Sequence, residues 1–548
     1  MLLLLVTGSF GCRHNGSSNS GGVAAGPAPG SQPPEFSEVA LQVGIDFVGD
    51  VGPTFADVVG ADPQLMQINM GCGAAVGDYD DDGDLDIYLL AHNNLPNRLY
   101  RNDLDLGMRH FTDVTPAALA DTGLSRVAHF IDLDRDNDLD VVLINDDDGA
   151  PGSRPSRLFR NDGGGAFTDV TAGSNFSPVG YLRAGCATAD FDGDGWLDIY
   201  VTNWGMDPTG AGASIFPGEH LLYRNLGGFV FAEVASSVGL GGVHTNGFSA
   251  IFKDFDGDFD PDLMVAVDNG PDLFYWNNAG QFAEVGAALG IDHWGNDMGV
   301  ACADFDDDGD LDFYGTNITD PTGFLGVGEG NVFSVNQQVE TGTVGFIDEA
   351  EARGVFATHW GWGVEFVDAE NDGDLDLVAV NGFDDWIDYW FSSLQNPLYQ
   401  TPSTLFINDG TGQFTRRTGT ALDMPDDSRA LIAFDYDRDG DQDFLITNCA
   451  QPTRLLENQT PKPGHWLTVA LRPDALAIGA AVYATVGQMT MRRDVICGRS
   501  YLAGTPSEVS FGLGAAKLVS TLRIVWADGT ETVFNNVATD QILRVTAP

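Results

Sequence analysis

Basic residues are scarce in this chain of 548 residues: Lys and Arg together number 26 against 80 Asp and Glu, for a formal charge of −54. A surface so acidic repels nucleic acid and anionic lipid, which removes both from the range of expected partners. Long apolar runs are scarce too. Past Met1 to Val6 nothing approaches the roughly eighteen apolar residues that a membrane-spanning helix requires. The six cysteines fix no connectivity. Cys72, Cys186 and Cys302 fall six, four and two residues before acidic loops and read as small buried hydrophobes. Cys449 and Cys497 could pair only if the C-terminal region folds back onto the last repeat. Catalytic signatures are also missing. No His-Glu-x-x-His, Gly-x-Ser-x-Gly or Gly-x-x-x-x-Gly-Lys occurs and the nine His are scattered, so no enzyme is expected.

What the chain has instead is a loop of the form Asp-x-Asp-x-Asp-Gly-x-x-Asp, seven times over, starting at Asp78, Asp132, Asp190, Asp254, Asp304, Asp368 and Asp435. The starts lie 50 to 67 residues apart, a period long enough for one small antiparallel sheet per repeat. Alternate carboxylates on a tight turn converge on one point and repel each other unless a hard dication sits among them. Calcium takes six to eight oxygens in flexible geometry and suits carboxylates at positions 1, 3, 5 and 9 with a backbone carbonyl near 7; magnesium, strictly octahedral, suits them less well. An EF-hand needs a Glu at position 12. Here that position is Leu89, Leu143, Val201, Val265, Gly315, Ala379 and Ile446, in strand-like runs, so the loops join strands.

The expected calcium ligands follow copy by copy. The first loop offers Asp78, Asp80, Asp82 and Asp86; the third Asp190, Asp192, Asp194 and Asp198; the fifth Asp304, Asp306, Asp308 and Asp312; the seventh Asp435, Asp437, Asp439 and Asp443. The second, Asp132, Asp134, Asp136 and Asp140, has Asn137 in the glycine place, which Asn tolerates. The sixth, Asp368, Glu370, Asp372 and Asp376, substitutes one longer acid. The fourth keeps Asp254, Asp256, Asp258 and Asp262 but puts Phe259 where the glycine belongs, which marks it as the copy that could lack an ion.

Around each loop lies a longer repeat. Small residues precede it, as in Gly73 to Val76 and Gly185 to Thr188, and read as tightly packed inner strands. A third strand recurs as Arg98 to Asn102, Arg157 to Asn161, Leu222 to Asn225 and Leu405 to Asn408, and a fourth as Phe111 to Thr115, Phe167 to Thr171 and Phe231 to Val234. Four strands in each of seven repeats predict an all-β fold, a seven-bladed β-propeller over residues 36–460. The last repeat lacks a fourth strand. Phe36 to Ala40, with the sequence of one, is expected to complete that blade and close the ring.

Residues 1–35 read as a signal and tether. Met1 to Val6 is apolar, Gly11-Cys12 follows, and the stretch from Asn15 to Pro34 is rich in Gly, Ser and Pro. This resembles a bacterial lipoprotein signal with Cys12 as the lipidated residue, and it points to export, to the outer membrane, cell surface or extracellular space. From Pro461 the repeats stop. His465 to Leu471, Ala481 to Val486, Met489 to Ile496 and Leu522 to Trp526 read as strands of a compact β-sandwich over residues 461–548.

Ala477-Ile478-Gly479-Ala480, Arg493-Asp494-Val495, Gly498-Arg499-Ser500-Tyr501-Leu502, Phe511-Gly512-Leu513-Gly514 and Val525-Trp526-Ala527-Asp528-Gly529 resemble the ASPIC/UnbV domain. The preceding repeats resemble the FG-GAP/VCBS family, similar to the integrin α-chain propeller. The combination is similar to cartilage acidic protein-like bacterial exported proteins. The chain departs from the domain pattern at Ser510, where a His commonly stands, and at Ala527-Asp528, where Pro-Ser is expected. The resemblance implies calcium at the acidic positions and leaves the partner undefined.

The expected function is a noncatalytic extracellular or cell-surface interaction and adhesion module, stabilised by up to seven calcium ions, with an unidentified protein or glycan as ligand. The alternative is carbohydrate handling, as a lectin-like or polysaccharide-processing propeller. Trp204, Trp294, Trp360, Trp362, Trp386 and Trp390 could then stack on sugars. Most of them are expected in blade packing, and Asp384 to Trp390 is the best exception. Arg492 and Arg493 read as a strand-surface pair rather than an anion site.

Overall fold

A computed structural model of the chain describes residues 34–49, 70–92, 94–146, 154–178, 183–205, 218–242, 244–319, 330–382, 401–461 and 464–548. Cys12 and the stretch from Asp384 to Trp390 lie outside the described residues.

The first acidic loop connects β2 (Ala74–Gly77) to β3 (Asp86–Leu89), and the sheet continues through β4 (Arg98–Asn102) to β5 (Phe111–Asp113). Its registers are antiparallel throughout, with Val76 opposite Ile87 and Tyr88 opposite Leu99. Among the described residues, seven sheets built on four such strands follow one another along the chain, one for each acidic loop. They form the expected β-propeller. Apolar clusters lie between consecutive sheets rather than on one common core. Val76 and Ile87 of the first sheet pack with Ile432, Phe434 and Leu445 of the last, and Leu377 of the sixth with Phe305 of the fifth loop. Burial on both faces explains the near-continuous apolar runs of the second strands, such as Asp140–Asn145 and Asp443–Asn448, where every residue is buried. The innermost strands carry small residues because neighbouring backbones nearly touch. A Cβ on Gly185 would stand 2.2 Å from the Phe248 carbonyl oxygen, and one on Gly299 2.1 Å from that of Trp362.

The ring closes where the sequence places the closure. β1 (Phe36–Glu38) pairs antiparallel with Arg454–Asn458, Phe36 opposite Asn458, and becomes the outer strand of the last sheet. Phe36 stacks on Phe444 with ring centroids 4.8 Å apart. N-terminal and C-terminal strands in one sheet remove the open edge.

Beyond the ring stand two further sheets, one of Glu508–Gly512, Trp466–Arg472 and Gln541–Thr546, the other of Met489–Asp494, Ala481–Val486, Leu518–Val525 and Glu531–Ala538. They share a core of Leu467, Val469, Val482, Met491, Phe511, Leu522 and Trp526. Glu531–Ala538 and Gln541–Thr546 escape the sequence reading because their outward residues alternate with too few apolar ones. Cys497 to Gly504 leave this sandwich and enter the ring. Ser500 donates its N–H to the Val300 carbonyl at 2.8 Å and its hydroxyl oxygen accepts from Val364 N at 3.0 Å. Ala503–Gly504 pair in parallel with β2, and the Tyr501 ring meets Phe248 and Trp362 at 5.5 and 5.0 Å. Cys497 Sγ lies 3.0 Å from His129 Nδ1, and it is not joined to Cys449. The C-terminal region thus does fold back, with Glu508 and Ser510 meeting Arg438 and Gln442 of the last repeat, while Cys497 itself goes into the centre of the ring.

Cys72, Cys186 and Cys302 are buried. Trp204 and Trp362 are buried and Trp360 partly so, whereas Trp294 is 64% exposed. No helix among the described residues is long and apolar enough to cross a membrane. Replacing Phe36 by Ala removes the stacked ring and should lower the unfolding free energy by about 3 kcal/mol, read from urea denaturation; a change under about 1 kcal/mol would show that β1 does not hold the ring shut.

Candidate metal centres

All seven acidic loops adopt one backbone course. The residue at position 4 has positive φ in every copy, Asp81 at 62°, Arg135 at 67°, Gly193 at 68°, Gly257 at 84°, Asp307 at 55°, Asn371 at 56° and Arg438 at 57°. So does position 6, from Phe259 at 70° and Asn137 at 72° to Gly373 at 108°. Two left-handed residues in three wrap the chain around the first carboxylate, which accepts the N–H of position 6 in each loop: Gly195 to Asp190 at 2.7 Å, Asn137 to Asp132 at 3.0 Å, Gly440 to Asp435 at 2.9 Å. The fifth carboxylate accepts from position 7, as Asp194 does from Trp196 at 3.0 Å. The fourth loop is no exception. Phe259 donates to Asp254 at 3.1 Å and Asp260 to Asp258 at 3.0 Å, so a strained aromatic residue holds the place of the glycine.

The ninth carboxylate is the deepest. Asp86, Asp140, Asp198, Asp262 and Asp443 show no exposed surface, and Asp312 and Asp376 almost none. One oxygen accepts the N–H of an Asn at the end of the third strand, as from Asn225 to Asp198 at 2.7 Å and from Asn458 to Asp443 at 2.8 Å. In six loops the other accepts the N–H of position 2, as from Leu133 to Asp140 at 2.9 Å, whereas in the fifth Asp312 Oδ2 is buried without a donor.

The predicted residues come together. Carboxylate oxygens of Asp78, Asp80 and Asp86 lie within 4.8 Å of one another, as do those of Asp132, Asp134 and Asp136, of Asp190, Asp192 and Asp194, and of Asp254, Asp256 and Asp262. At position 3 one oxygen is left over. Oδ1 of Asp80, Asp134, Asp192 and Asp306 is buried with no hydrogen-bond donor. Where Arg reaches these side chains it does so from the other oxygen, as Arg224 does to Asp192 Oδ2 at 2.6 Å. An all-oxygen, all-anionic set with inward lone pairs unpartnered fits a hard cation. Burial, with nearby acids adding to it, pushes Asp140 and Asp262 up to about 8 and raises Asp86, Asp198, Asp312, Asp376 and Asp443 well above the usual carboxylate range.

Two recurring groups escaped the sequence reading. Position 7 carries Asp84, Asp138, Asp260, Asp310, Asp374 and Asp441 in six of seven loops. Three of these turn away from the loop centre to the outer hairpin of the same sheet: Asp84 accepts from Asp105 N at 2.5 Å, Asp260 from Ala279 N at 2.6 Å and Asp310 from Val339 N at 3.1 Å. The other group is the third-strand Asn itself: Asn102, Asn161, Asn225, Asn277, Asn336, Asn408 and Asn458. Its amide donates to the position-8 carbonyl of its own loop and, in six copies, to the position-2 carbonyl of an adjacent sheet's loop, as Asn225 does to Leu197 at 3.2 Å and Leu133 at 3.0 Å. Asn102 to Tyr436, at 2.7 Å, joins the first sheet to the last. The signal was present as an Asn at one register in every repeat.

The FG-GAP-like repeat family matches residues 78–143, 132–201, 254–315 and 383–446, and the ASPIC and UnbV family matches residues 471–548. Cartilage acidic protein 1 of Xenopus tropicalis is 25% identical over 503 residues, covering 85% of this chain and 72% of that protein. The Homo sapiens protein of the same name is 25% identical over 507 residues, covering 88% and 72%. Among solved structures, YCF48 from Cyanidioschyzon merolae aligns with a TM-score of 0.38 and 12% identity over 71% of this chain and 95% of its own.

Two outcomes follow. Asn225→Ala strips two buried carbonyls of their donor and should cost about 2 to 3 kcal/mol in chemical denaturation; a loss below about 0.5 kcal/mol would deny the amide its place in the ring. In metal-stripped protein Asp140 and Asp262 bind protons more tightly folded than unfolded, since their folded values near 8 exceed the ordinary 3.8. Their contribution therefore favours folding at low pH, and stability should fall as pH rises from about 4 to about 8. Denaturation midpoints rising across that window would contradict the shifts.

Proposed function

We propose that this chain of FG-GAP-like repeats with an ASPIC and UnbV domain is an extracellular, noncatalytic interaction module whose acidic loops hold calcium as a structural ion. The observation that carries the calcium reading is the unpartnered inward oxygen at position 3, repeated in Asp80, Asp134, Asp192 and Asp306. The residues that would hold the ion are those at positions 1, 3, 5 and 9 of each loop. A bound dication would supply charge neutralisation and nothing redox or hydrolytic. The residues around it do the rest: the first and fifth carboxylates fix the turn by accepting N–H groups, and the ninth fixes the loop to the third strand. Free calcium is plentiful outside cells, and the matched relatives support the same compartment. Adhesion is the role for which a rigid ring with a highly acidic surface is suited, since net charge keeps it soluble while shape and a few polar contacts choose the partner.

The fourth loop belongs in the set. Its carboxylates converge as the others do and its turn is the same, so the sequence-based expectation that it could stand apart rests on Phe259 alone.

Calcium removal tests the reading. One site at a hundred times its dissociation constant adds about 2.7 kcal/mol, so several sites should raise the melting temperature by well over ten degrees between chelator and millimolar calcium. Asp192→Asn should take away a fraction of that gain and reduce the bound-calcium count by about one, measured on the stripped and reloaded protein. An unchanged melting temperature in chelator sinks the proposal.

A further inference from the structure

The C-terminal sandwich sits on the face of the ring that carries the acidic loops. It reaches the shared first position in two of them, Arg472 and Arg544 lying 3.5 and 3.8 Å from Asp78 Oδ2 and Asp132 N donating to Asp474 at 3.2 Å, and it also meets the loops where they differ from one another. Position 4 turns outward, and its identity changes from loop to loop. In the first loop Asp81 Oδ1 lies 2.7 Å from Arg472 Nη2. In the seventh the sign is inverted: Arg438 Nη1 lies 2.8 Å from Glu508 Oε1, both side chains about nine-tenths buried. In the fifth, Asp307 faces Arg493 at 4.0 Å, and in the sixth the Asn371 carbonyl accepts Gly514 N at 3.1 Å. The remaining fourth positions make no such contact. Gly193 and Gly257 face open space, and Arg135 lies over the ring of Trp196 in the third loop, 5.2 Å from its centroid. The fourth loop is met instead through its anomaly. The Phe259 ring lies against Gly529, where an added Cβ would come within 3.2 Å.

We propose that Asp81, Phe259, Asp307, Asn371 and Arg438, the points where the repeated loops break their own pattern, form a docking surface that selects one rotational seat for the C-terminal domain. A ring of near-identical loops offers a partner several equivalent orientations. Only one of them lets Ser500 reach Val300 while Ala503–Gly504 pair with β2. Opposite charges meet at three loops in the observed seat, whereas five of the six rotated seats bring like charges together and the sixth, a shift of three loops, keeps one attractive pair instead of three, so charge discriminates among seats more strongly than shape does. Phe259 is then explained: a residue strained at φ 70° persists because it fills the contact with Gly529. None of the five residues sits at a position assigned to an ion, although Arg472, which faces Asp81, also lies 3.5 Å from Asp78 Oδ2.

The test uses the full chain and hydrogen exchange of the peptides containing Ser500 and Ala74, whose N–H groups bond to Val300 and Leu502 across the seat. Asp81→Asn with Glu508→Gln, and separately Phe259→Gly, should each accelerate exchange in these peptides about tenfold. Exchange in the peptide containing Leu522, inside the sandwich core, should stay unchanged, and Arg135→Met should move none of them. Unchanged exchange at Ser500 and Ala74, an equal effect from Arg135→Met, or acceleration that includes Leu522 would each overturn the proposal.

Discussion

The buried carboxylate at the ninth position of each acidic loop is the constraint on which the rest of the structure depends. In six of the seven loops it accepts two backbone N–H groups, one from its own loop and one from the third strand, and so fixes where a loop ends and a sheet begins. That service requires an acceptor with no proton to give, yet the group is out of water and beside three further acids. Two unit charges about 4 Å apart repel by about 4 kcal/mol even at an effective dielectric of 20. A handful of such pairs exceeds the whole stability of an ordinary domain, about 5 to 15 kcal/mol. Seven loops cannot all stay ionised without counter-charge. Nearby arginines such as Arg224 beside Asp192 and Arg353 beside Asp306 supply part of that counter-charge, and the cation proposed above would supply more.

The same carboxylate passes the loop's order to the ring. Its acceptor bond holds the backbone of the third-strand Asn, and that Asn spends its side-chain amide on an adjacent sheet's loop. Adjacent sheets also pack through apolar side chains, which is nondirectional, and through inner-strand hydroxyls, as from Thr202 to the Phe248 carbonyl at 2.8 Å and from Thr447 to that of Cys72 at 2.7 Å. The amide adds a second directional tie at the loop end of the sheets, and Asn102 makes the same tie at the closure between first and last. Loop geometry, ring geometry and the closing strand β1 are therefore one coupled unit rather than three.

The repeat was legible in the sequence because the acidic positions of the loops are chemically restricted and evenly spaced, and so were the closing strand and the convergence of the carboxylates. Asp78, Asp80 and Asp86 meet as their spacing required. The Asn latch was visible but mute: Asn102 and its counterparts stand in register, and nothing in a sequence tells which backbone carbonyl an amide will reach. At position 7 the sequence suggests only a backbone carbonyl and leaves the side chains of Asp84 and its equivalents unassigned, since a carboxylate that accepts a hairpin N–H looks the same as one that faces an ion. The path of Cys497 to Gly504 was not legible at all. Its backbone bonds go to strands from opposite ends of the chain, and contacts of that separation leave no periodic trace.

Where a partner can bind follows from what the molecule already occupies. A propeller commonly offers its axis and its two faces. Here the axis is filled by Arg499, Ser500 and Tyr501, with Arg499 paired to the buried Glu365 at 3.0 Å. Burial pushes Glu365 up to about 7 even with the Arg499 guanidinium beside it, which offsets part of the cost of burial. The acidic-loop face is covered by the sandwich. Contacts at both places are satisfied intramolecularly, and a partner would have to break buried ion pairs to use them, an expensive exchange. What remains is the outer hairpins of the sheets, tied to the loops through Asp84, Asp260 and Asp310, and the face opposite the loops, where Trp294 presents an exposed ring. The hairpins are tied to the loops through these carboxylates, so whatever fixes the loops also fixes that surface.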